Sequence, residues 1–384
     1  MNGKFRTVGY TIEGLNSFAT VIFFNYLYFL FRDRFGFNDK ENLTLASLIG
    51  LIYTFASWQA GRFAQRCGHF TALKTGFGIM IVGLVVGSQL HSMAGVIAAA
   101  CVVNIGMCCI WPVLEALVSE GAHAARAVGI YNITWAGANA AAYFIGGTLI
   151  VKLGYQSMFY LPLAFILVQL ALVFWLEKIH GAGAGEPSEP PAHDANRPSP
   201  ARAKNFQRMA WLANPFAYIA INTLLAVIPG IAAKFQMSPM LAGFVCSLWC
   251  FVRLGAFVLL WRWPGWHYRF RWLVTAFALL ILAFVAILIA PNLAVLVAAQ
   301  VFFGAALGLI YYSSLFYSMD ASDTKSEHGG IHEAAIGAGN FIGPAVGAAA
   351  LQFAAQSPNA GAFAVSALLL CGLGGLVKIW KSAP

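Results

Sequence analysis

Residues 240–260 read MLAGFVCSLWCFVRLGAFVLL, an apolar stretch whose only charged residue is Arg253. About 20 apolar residues in helical form cross the roughly 30 Å hydrocarbon core of a bilayer. The stretch lacks the alternation of a membrane strand, so it predicts a helix. An arginine at the centre of such a helix costs at least roughly 2.5–3.5 kcal/mol unless it faces a polar interior or a partner. The stretch therefore predicts a transmembrane helix with a candidate functional residue near its middle.

Similar apolar stretches recur along the 384 residues, of which 60% are hydrophobic and only 10% charged. Soluble domains have about 25% charged residues, so this composition excludes a soluble protein. The predicted fold class is an all-α membrane protein. We predict twelve transmembrane helices, at residues 8–32, 43–60, 71–90, 94–117, 127–151, 157–177, 210–231, 240–260, 272–290, 293–318, 331–355 and 361–380.

The long polar segment between the sixth and seventh helices divides the chain into two halves. Its sequence includes GAGAGEPSEPPAHDANRPSPARAK, a composition typical of a disordered linker. We predict a six-helix half at 1–177, a flexible cytoplasmic linker at 178–209 and a second six-helix half at 210–384.

The two halves resemble each other in sequence. A shift of 200 residues sets Arg62 on Arg262 and Phe70 on Phe270, and a shift of 201 pairs Asn139 with Asn340. Because six helices separate equivalent positions, the copies have the same orientation in the membrane. Polar residues are few in the third, sixth, ninth and twelfth helices. We expect these four to face lipid and the other eight to surround a polar cavity.

The net charge of +9 could suit nucleic acid, but its distribution indicates membrane topology instead. Of the 23 Lys and Arg residues, 17 fall in the amino terminus, alternate loops and the carboxyl tail. This bias predicts a multi-pass protein of the cytoplasmic (inner) membrane with both termini cytoplasmic. We expect the lipid bilayer and no nucleic acid as a partner, and a monomer, since one chain supplies both halves.

Catalytic and metal-binding patterns are missing from the sequence. None of the seven cysteines has metal-ligand spacing with histidines, and HExxH, GxSxG and Walker motifs do not occur. We therefore expect no metal, no cofactor and no enzyme activity.

The turn between the second and third helices, residues 61–69, reads GRFAQRCGH. It resembles the G-x-x-x-D-R-x-G-R loop signature of the major facilitator superfamily (MFS), at the position where that family carries it. Gly61, Arg66 and Gly68 match, whereas Gln65 replaces the usual acid and His69 the usual base. The resemblance implies the MFS fold and alternating access by rocking of two halves. With Gln65 in this gating motif, a hydrogen-bonded latch is expected in place of a charged one.

The resemblance implies a secondary active transporter, and we expect a small polar organic solute, plausibly an anion, with proton symport as a possible coupling. One alternative is a multidrug-type efflux transporter. Its fourth-helix arginine is missing here, however, and its G-x-x-x-G-P pattern occurs in the eleventh helix at 339–344 instead of the fifth. A second alternative is a sensor or scaffold that keeps the fold without transport.

Polar and aromatic side chains at helical spacing are the candidate substrate-binding residues. Arg253 suits a carboxylate or phosphate through paired hydrogen bonds, or it serves as a structural ion pair or carbonyl clamp. Each asparagine either lines the cavity or joins two helices. The candidates are Arg253, Asn16, Asn104, Trp135, Asn139, Tyr218, Asn222, Tyr311 and Asn340.

Three titratable residues are candidates for proton coupling. Glu13 in the first helix either carries a proton or forms a salt bridge near the membrane surface. His332 and Glu333 are further candidates, or they form a solvated helix start. Glu115 and Glu120, near the end of the fourth helix, are expected to form cytoplasmic ion pairs with Arg126.

Overall fold

The structure, a computed structural model, describes residues 3–119, 124–180, 198–321 and 328–382. Within these ranges the chain folds into fourteen α-helices. They are α1 (Gly3–Phe35), α2 (Asp39–Cys67), α3 (His69–Gln89), α4 (Met93–Cys108), α5 (Trp111–Ser119), α6 (Ala124–Leu153), α7 (Ser157–His180), α8 (Pro200–Lys234), α9 (Pro239–Cys246), α10 (Leu248–Arg262), α11 (Phe270–Leu288), α12 (Leu293–Ala321), α13 (His328–Phe353) and α14 (Ala360–Lys381).

The helices make twelve stretches that are long and apolar enough to cross a membrane, which confirms the predicted fold class. The fourth crossing consists of α4 and α5, and the eighth consists of α9 and α10. Pro112 is the second residue of α5. Proline has no backbone N–H and disfavours a helical conformation before it, which accounts for the break after α4.

The helices beside the central linker extend beyond the predicted boundaries. α7 ends at His180 and α8 begins at Pro200, so they include residues 178–180 and 200–209 of the predicted linker. Proline is favoured in the first turn of a helix, where its missing N–H would have no partner in any case. Residues 181–197 lie outside the described residues.

Matching turns in the two halves each contain a residue with positive φ. Gly36 has φ 73° and Gln236, 200 residues later, has φ 54°. Gly68 has φ 86° and Tyr268, at the same shift, has φ 52°. Gln236 and Tyr268 occupy a left-handed region that costs roughly 1–2 kcal/mol for a residue with a side chain. The second half therefore keeps the turn geometry of the first without its glycines.

Helix caps repeat with the same spacing. The Asn38 side chain accepts a hydrogen bond from Glu41 N at 3.2 Å, and Glu41 Oε2 accepts one from Asn38 N at 2.8 Å. Ser238, 200 residues later, accepts from Leu241 N at 3.3 Å at the start of α9. These bonds satisfy backbone donors that have no partner within the helix.

The two ends of the molecule differ in their connections. We call the end with the turns at 36–38, 90–92, 154–156, 235–238, 289–292 and 354–359 the short-turn end, and the opposite end the termini end. The outer helices α3, α7, α11 and α14 expose large apolar side chains such as Val82, Leu167, Leu282 and Leu370. These surfaces suit contact with lipid, as expected for the third, sixth, ninth and twelfth crossings.

The two halves meet along α6, which packs against α9 and α10. A Cβ atom built on Gly147, near the short-turn end of α6, would lie 2.7 Å from the carbonyl carbon of Pro239. Towards the termini end, the nearest atom to a Cβ on Gly129 is Trp261 Nε1 at 3.8 Å. The helices therefore touch backbone to backbone at the short-turn end and have more space between them towards the termini end.

A second extensive contact between the halves joins α2 to α13. A Cβ on Gly50 would lie 2.5 Å from the carbonyl oxygen of Asn340, so these backbones also touch. At the short-turn end, Lys40 Nζ donates a hydrogen bond to Gln352 Oε1 at 3.1 Å. Together the two contacts close the short-turn end of the space between the halves.

Candidate functional site

A cavity of about 180 Å³ lies between the two halves. Since one water needs about 10–15 Å³ on this measure, the cavity has room for roughly a dozen waters or one small organic molecule. Its wall is formed by α1, α2, α4, α5, α6, α8, α10, α12 and α13, and not by the outer helices. Eight of the twelve crossings therefore surround the cavity. They are the eight that were expected to surround a polar cavity from the polar residues in their sequences.

The wall of the cavity repeats between the halves. Many lining residues fall in pairs separated by 200 or 201 positions, although the side chains at most of the paired positions differ. Such pairs include Val21 with Ile221, Ile49 with Trp249, Tyr53 with Arg253, Trp111 with Tyr311, Asn132 with Glu333, and Asn139 with Asn340.

Arg253 lies at this wall with only 3% of its surface exposed. Its Cζ is 4.5 Å from the ring centroid of Trp135, in the other half, and 4.9 Å from that of Trp249. Its Nε and Nη2 atoms are buried without a hydrogen-bond partner. No ion pair joins Arg253 to a carboxylate of the described residues. Two rings therefore contact the guanidinium while its hydrogen-bonding edge stays unsatisfied, which is costly in a buried site.

An aromatic cluster surrounds this guanidinium. Trp135 stacks on Tyr311 with centroids 5.2 Å apart and an interplanar angle of 21°. Phe257, in the same half as Tyr311, also stacks on it, at 5.6 Å and 27°. Tyr218 contacts Tyr311 at 6.5 Å. The cluster fixes the position of Arg253 and offers flat apolar surfaces beside a charge, a setting that suits an organic ion.

Two carboxylates, Glu115 and Glu333, line the same cavity. Glu333 Oε2 accepts a hydrogen bond from the Tyr53 hydroxyl at 2.5 Å, which links α13 to α2 across the halves. Glu115 forms no ion pair with Arg126 among the described residues, contrary to our expectation. It faces the cavity instead, because α5 begins a new helical segment after the break at 109–110.

Glu13 is fully buried in α1, beside the cavity and not at its wall. Its carboxylate accepts hydrogen bonds from Ser17 Oγ at 2.7 Å and from the Tyr131 hydroxyl at 2.6 Å. Tyr131 itself lines the cavity and so stands between it and Glu13. Glu120 and the His332 side chain lie outside the described residues.

The asparagines at the wall also join helices. Asn104 Nδ2 donates to the Ile49 carbonyl at 2.9 Å, while its Oδ1 is buried without a partner. Asn222 Nδ2 donates to Asn340 Oδ1 at 2.6 Å, and Asn139 Oδ1 accepts a weak bond from a thiol of α10 at 3.7 Å. Cavity lining and helix joining, which the sequence left as alternatives, occur together in these residues.

Eight of the nine candidate substrate-binding residues lie at the wall, and Asn16 does not. Asn16 is fully buried in α1, with neither side-chain polar atom hydrogen-bonded. Helical spacing places it on the polar face of α1, but the cavity begins at Thr20, one turn further along. Sequence reasoning in turn missed the roles of Glu115, Tyr131 and Trp249 at the wall, which contacts between distant helices create.

The loop motif lies on the surface of the termini end. Gly68 has a positive φ and forms the turn between α2 and α3, as the glycine in the motif predicted. Gln65 and Arg66 are exposed, and their side chains form no hydrogen bond or ion pair with another described residue. Gly61 precedes them on α2, where Arg62 lies 4.0 Å over the Trp58 ring. The expected latch through Gln65 is therefore not formed between described residues in this conformation.

Within the described ranges, no three His, Cys, Asp or Glu side chains lie close enough together to hold a metal ion. The chemistry available at the cavity is therefore that of one guanidinium, two carboxylates, amides, hydroxyls and aromatic rings.

Solved structures of transporters share the fold. The human organic anion transporter MFSD10 (TETRAN) aligns over 98% of this chain and 100% of its own, with a TM-score of 0.68 and 15% identity. An auto-inhibited POT family peptide transporter aligns over 99% and 97%, with a TM-score of 0.75 and 13% identity. A bacterial homologue of the human lysosomal transporter Spinster, in an inward-facing and unoccupied conformation, aligns over 99% and 96%, with a TM-score of 0.63 and 13% identity.

These identities are low, so the likeness concerns the fold. No curated protein sequence matches the chain significantly. The family model of the Major Facilitator Superfamily matches residues 8–221, more than half of the chain and beyond its first six crossings. With twelve crossings, a repeated cavity wall and this match, the chain belongs to the Major Facilitator Superfamily of membrane transporters.

Proposed function

We propose that this protein is a secondary active transporter that moves a small polar organic anion by alternating access, coupled to protons. The observation that carries the proposal is Arg253. It is a buried guanidinium at the cavity wall, held by two tryptophan rings and lacking hydrogen-bond partners on Nε and Nη2. A carboxylate or similar anion would accept from both atoms, because the guanidinium fork matches that geometry.

Several features favour an organic solute over an inorganic anion. The rings of Trp135, Tyr218 and Tyr311 lie beside the guanidinium and offer stacking surfaces to an organic body. Among proteins of the same fold, one is an organic anion transporter and another is a peptide transporter. A multidrug-type transporter stays less favoured, because the buried, unpaired charge would select its ligand by charge.

Rocking of the two halves would expose the cavity to each side in turn. The backbone contacts at Gly147 and Gly50 close the short-turn end in this conformation. We place both termini in the cytoplasm and the protein in the inner membrane, on the strength of the loop charges. In that orientation the substrate would enter or leave this conformation from the cytoplasmic side.

Proton coupling would use Glu13. It is a buried carboxylate without a cationic partner among the described residues, and the Tyr131 hydroxyl connects it to the cavity. A buried carboxylate can take up and release a proton as its surroundings change between conformations. Proton binding at Glu13 and substrate binding at the wall would then be linked through Tyr131, as a symporter requires.

The test is binding and uptake of carboxylates by purified protein in lipid vesicles. Arg253→Gln is expected to weaken binding by about 100-fold, because two charge-assisted hydrogen bonds contribute about 3 kcal/mol. Arg253→Lys is expected to recover part of it, since the charge remains but the fork is lost. Arg271→Gln is the matched control, because Arg271 is exposed and lies 5.9 Å over a tryptophan ring outside the cavity. Equal binding by wild type and Arg253→Gln for every carboxylate tested would refute the proposal.

A further inference from the structure

The cavity contains charges of both signs at different depths. The thiol of Cys108 lies 3.9 Å from the carbonyl oxygen of Tyr53, the residue that matches Arg253 in the first half. Glu115 comes seven residues after Cys108, which at 1.5 Å per helical residue places it roughly 10 Å nearer the termini end. The cavity therefore has a cationic inner part and an acidic part nearer the termini end.

The acidic part is formed by two facing helices. Glu115 is on α5 and Glu333 on α13, and these helices pack against each other across the halves. A Cβ on Gly337 of α13 would lie 2.7 Å from Thr54 Cα, next to Tyr53, and Glu333 lies four residues before Gly337, about one helical turn nearer the termini end. The partner of Glu333 is the neutral Tyr53 hydroxyl, and Glu115 has no ion pair among the described residues.

These acids do not neutralise Arg253, since no ion pair joins them. Arg253 is also the only basic side chain among the described lining residues. A simple anion bound at Arg253 would leave both carboxylates without a cation and would lie in their repulsive field. A molecule with an anionic group at one end and a cationic group at the other would satisfy both parts of the cavity.

Unsatisfied buried atoms mark the same space as a ligand site. Arg253 is only 3% exposed, and its Nε and Nη2 atoms are buried without a hydrogen-bond partner. Asn104, which is fully buried, has an unpartnered Oδ1 at the same wall and can accept a hydrogen bond from an ammonium or amide N–H.

From this arrangement we infer that the substrates are zwitterions. The anionic group binds Arg253, and an amino group several bonds away binds between Glu115 and Glu333. The inference rests on the proposed function and extends it from an organic anion to an amino-bearing organic acid. It also gives the substrate a direction in the cavity, with its amino group towards the termini end.

The experiment compares matched probes on the full-length protein in detergent or nanodiscs, by thermal shift and by calorimetry. The probes are linear carboxylic acids of four to eight carbons, the same acids with a terminal amino group, and linear amines of equal length. In the pair that binds most tightly, we expect the acid with the terminal amino group to bind at least about tenfold more tightly than the unsubstituted acid. The reason is that an ammonium–carboxylate hydrogen bond adds about 1.5–3 kcal/mol.

Variants then assign the preference to the two acids. Glu115→Gln and Glu333→Gln should each reduce the amino preference, and the double variant should remove it. The double variant should also bind the unsubstituted acid more tightly than the wild type does, because the repulsion from both carboxylates is gone. Glu177→Gln is the matched control, because Glu177 pairs with Lys74 at 3.0 Å outside the cavity.

The wild-type comparison needs no variant, so a variant that fails to fold does not weaken the test. Equal binding of both members of every pair, with loss of both in Arg253→Gln, would overturn the zwitterion inference and leave the anion proposal standing. A double variant that keeps the full amino preference would also overturn the inference. Binding of no carboxylate by the wild type would overturn both.

Discussion

Replacement of Gly147 by alanine should shift the protein away from the conformation that is closed at the short-turn end. The new Cβ would lie 2.7 Å from the Pro239 carbonyl carbon and 2.9 Å from Met240 Cα, and both are backbone atoms of the other half. Ordinary contacts begin at 3.4 Å, so α6 and α9 must separate by roughly 1 Å. Overpacking of this kind costs about 1–3 kcal/mol, which corresponds to a change of roughly 5- to 150-fold in the ratio of closed to open states.

The assay is pulsed EPR between spin labels at Lys152 and Asn292, which are exposed at the short-turn end of different halves. The exposed Cys67 and Cys371 are replaced by serine so that they do not take up label. Gly147→Ala is expected to add a population with a longer distance between the labels. Vesicle transport should fall in parallel, because alternating access requires both states.

Two controls separate closure of the halves from general damage. A Cβ on Gly106 would lie 2.6 Å from the Gly76 carbonyl oxygen, a similar overlap inside the first half. Gly106→Ala should lower thermal stability and leave the distance distribution unchanged. Gly78→Ala, where a Cβ meets no atom within 4 Å, should alter neither. If Gly147→Ala gives the wild-type distance distribution at full stability, the contact does not hold the two halves closed.

Three further outcomes are expected. Glu13→Gln should abolish uptake driven by a proton gradient and keep substrate exchange across vesicles; uptake that still follows the gradient would exclude Glu13 as the proton carrier. Gly36→Ala should lower the apparent melting temperature by the equivalent of about 1 kcal/mol, and Gln236→Gly at the matching turn should raise it by up to that amount. The reason is that both positions have positive φ, which glycine adopts without strain, and that Gln236 is exposed. Equal effects of the same sign would contradict this explanation. A double-mutant cycle of Asn222→Leu and Asn340→Leu should give a coupling energy of about 0.6–1.7 kcal/mol in thermal unfolding, because their 2.6 Å hydrogen bond joins α8 to α13, and additive losses would show that the bond contributes nothing.

Much of the fold could be predicted from hydropathy and spacing. Each membrane crossing must be a helix of sufficient length, so apolar stretches indicate the twelve crossings directly. Helical spacing also brought residues such as Asn139 and Asn340 to the wall, because polar side chains in these helices avoid lipid.

The remaining site residues depend on contacts that spacing does not encode. Glu115 faces the cavity because the break before α5 interrupts the helical register on which a face assignment depends. Trp135 lies against Arg253 although 118 positions separate them, and only the packing of α6 on α10 brings them together. Asn16 shares the polar face of α1 but lies one helical turn before Thr20, where the cavity lining on α1 begins. Which turn of α1 faces the cavity depends on how the neighbouring helices pack, and the spacing of polar residues does not show it.

The repeated frame explains how one cavity can hold a molecule with two different ends. Equivalent backbones carry different side chains: Tyr53 is matched by Arg253, and Asn132 by Glu333. A cavity with equal side chains at these positions would bind a ligand equally well in two orientations related by a half-turn about the membrane normal. Divergence at the paired positions places the guanidinium in the inner part of the second half and carboxylates nearer the termini end, so a charged ligand has one favourable direction. Glu333 lies on α13 and Arg253 on the same crossing as α9, and both of these helices touch the first half through their backbones. Rocking of the halves would therefore move these two groups together relative to Glu115 in the first half.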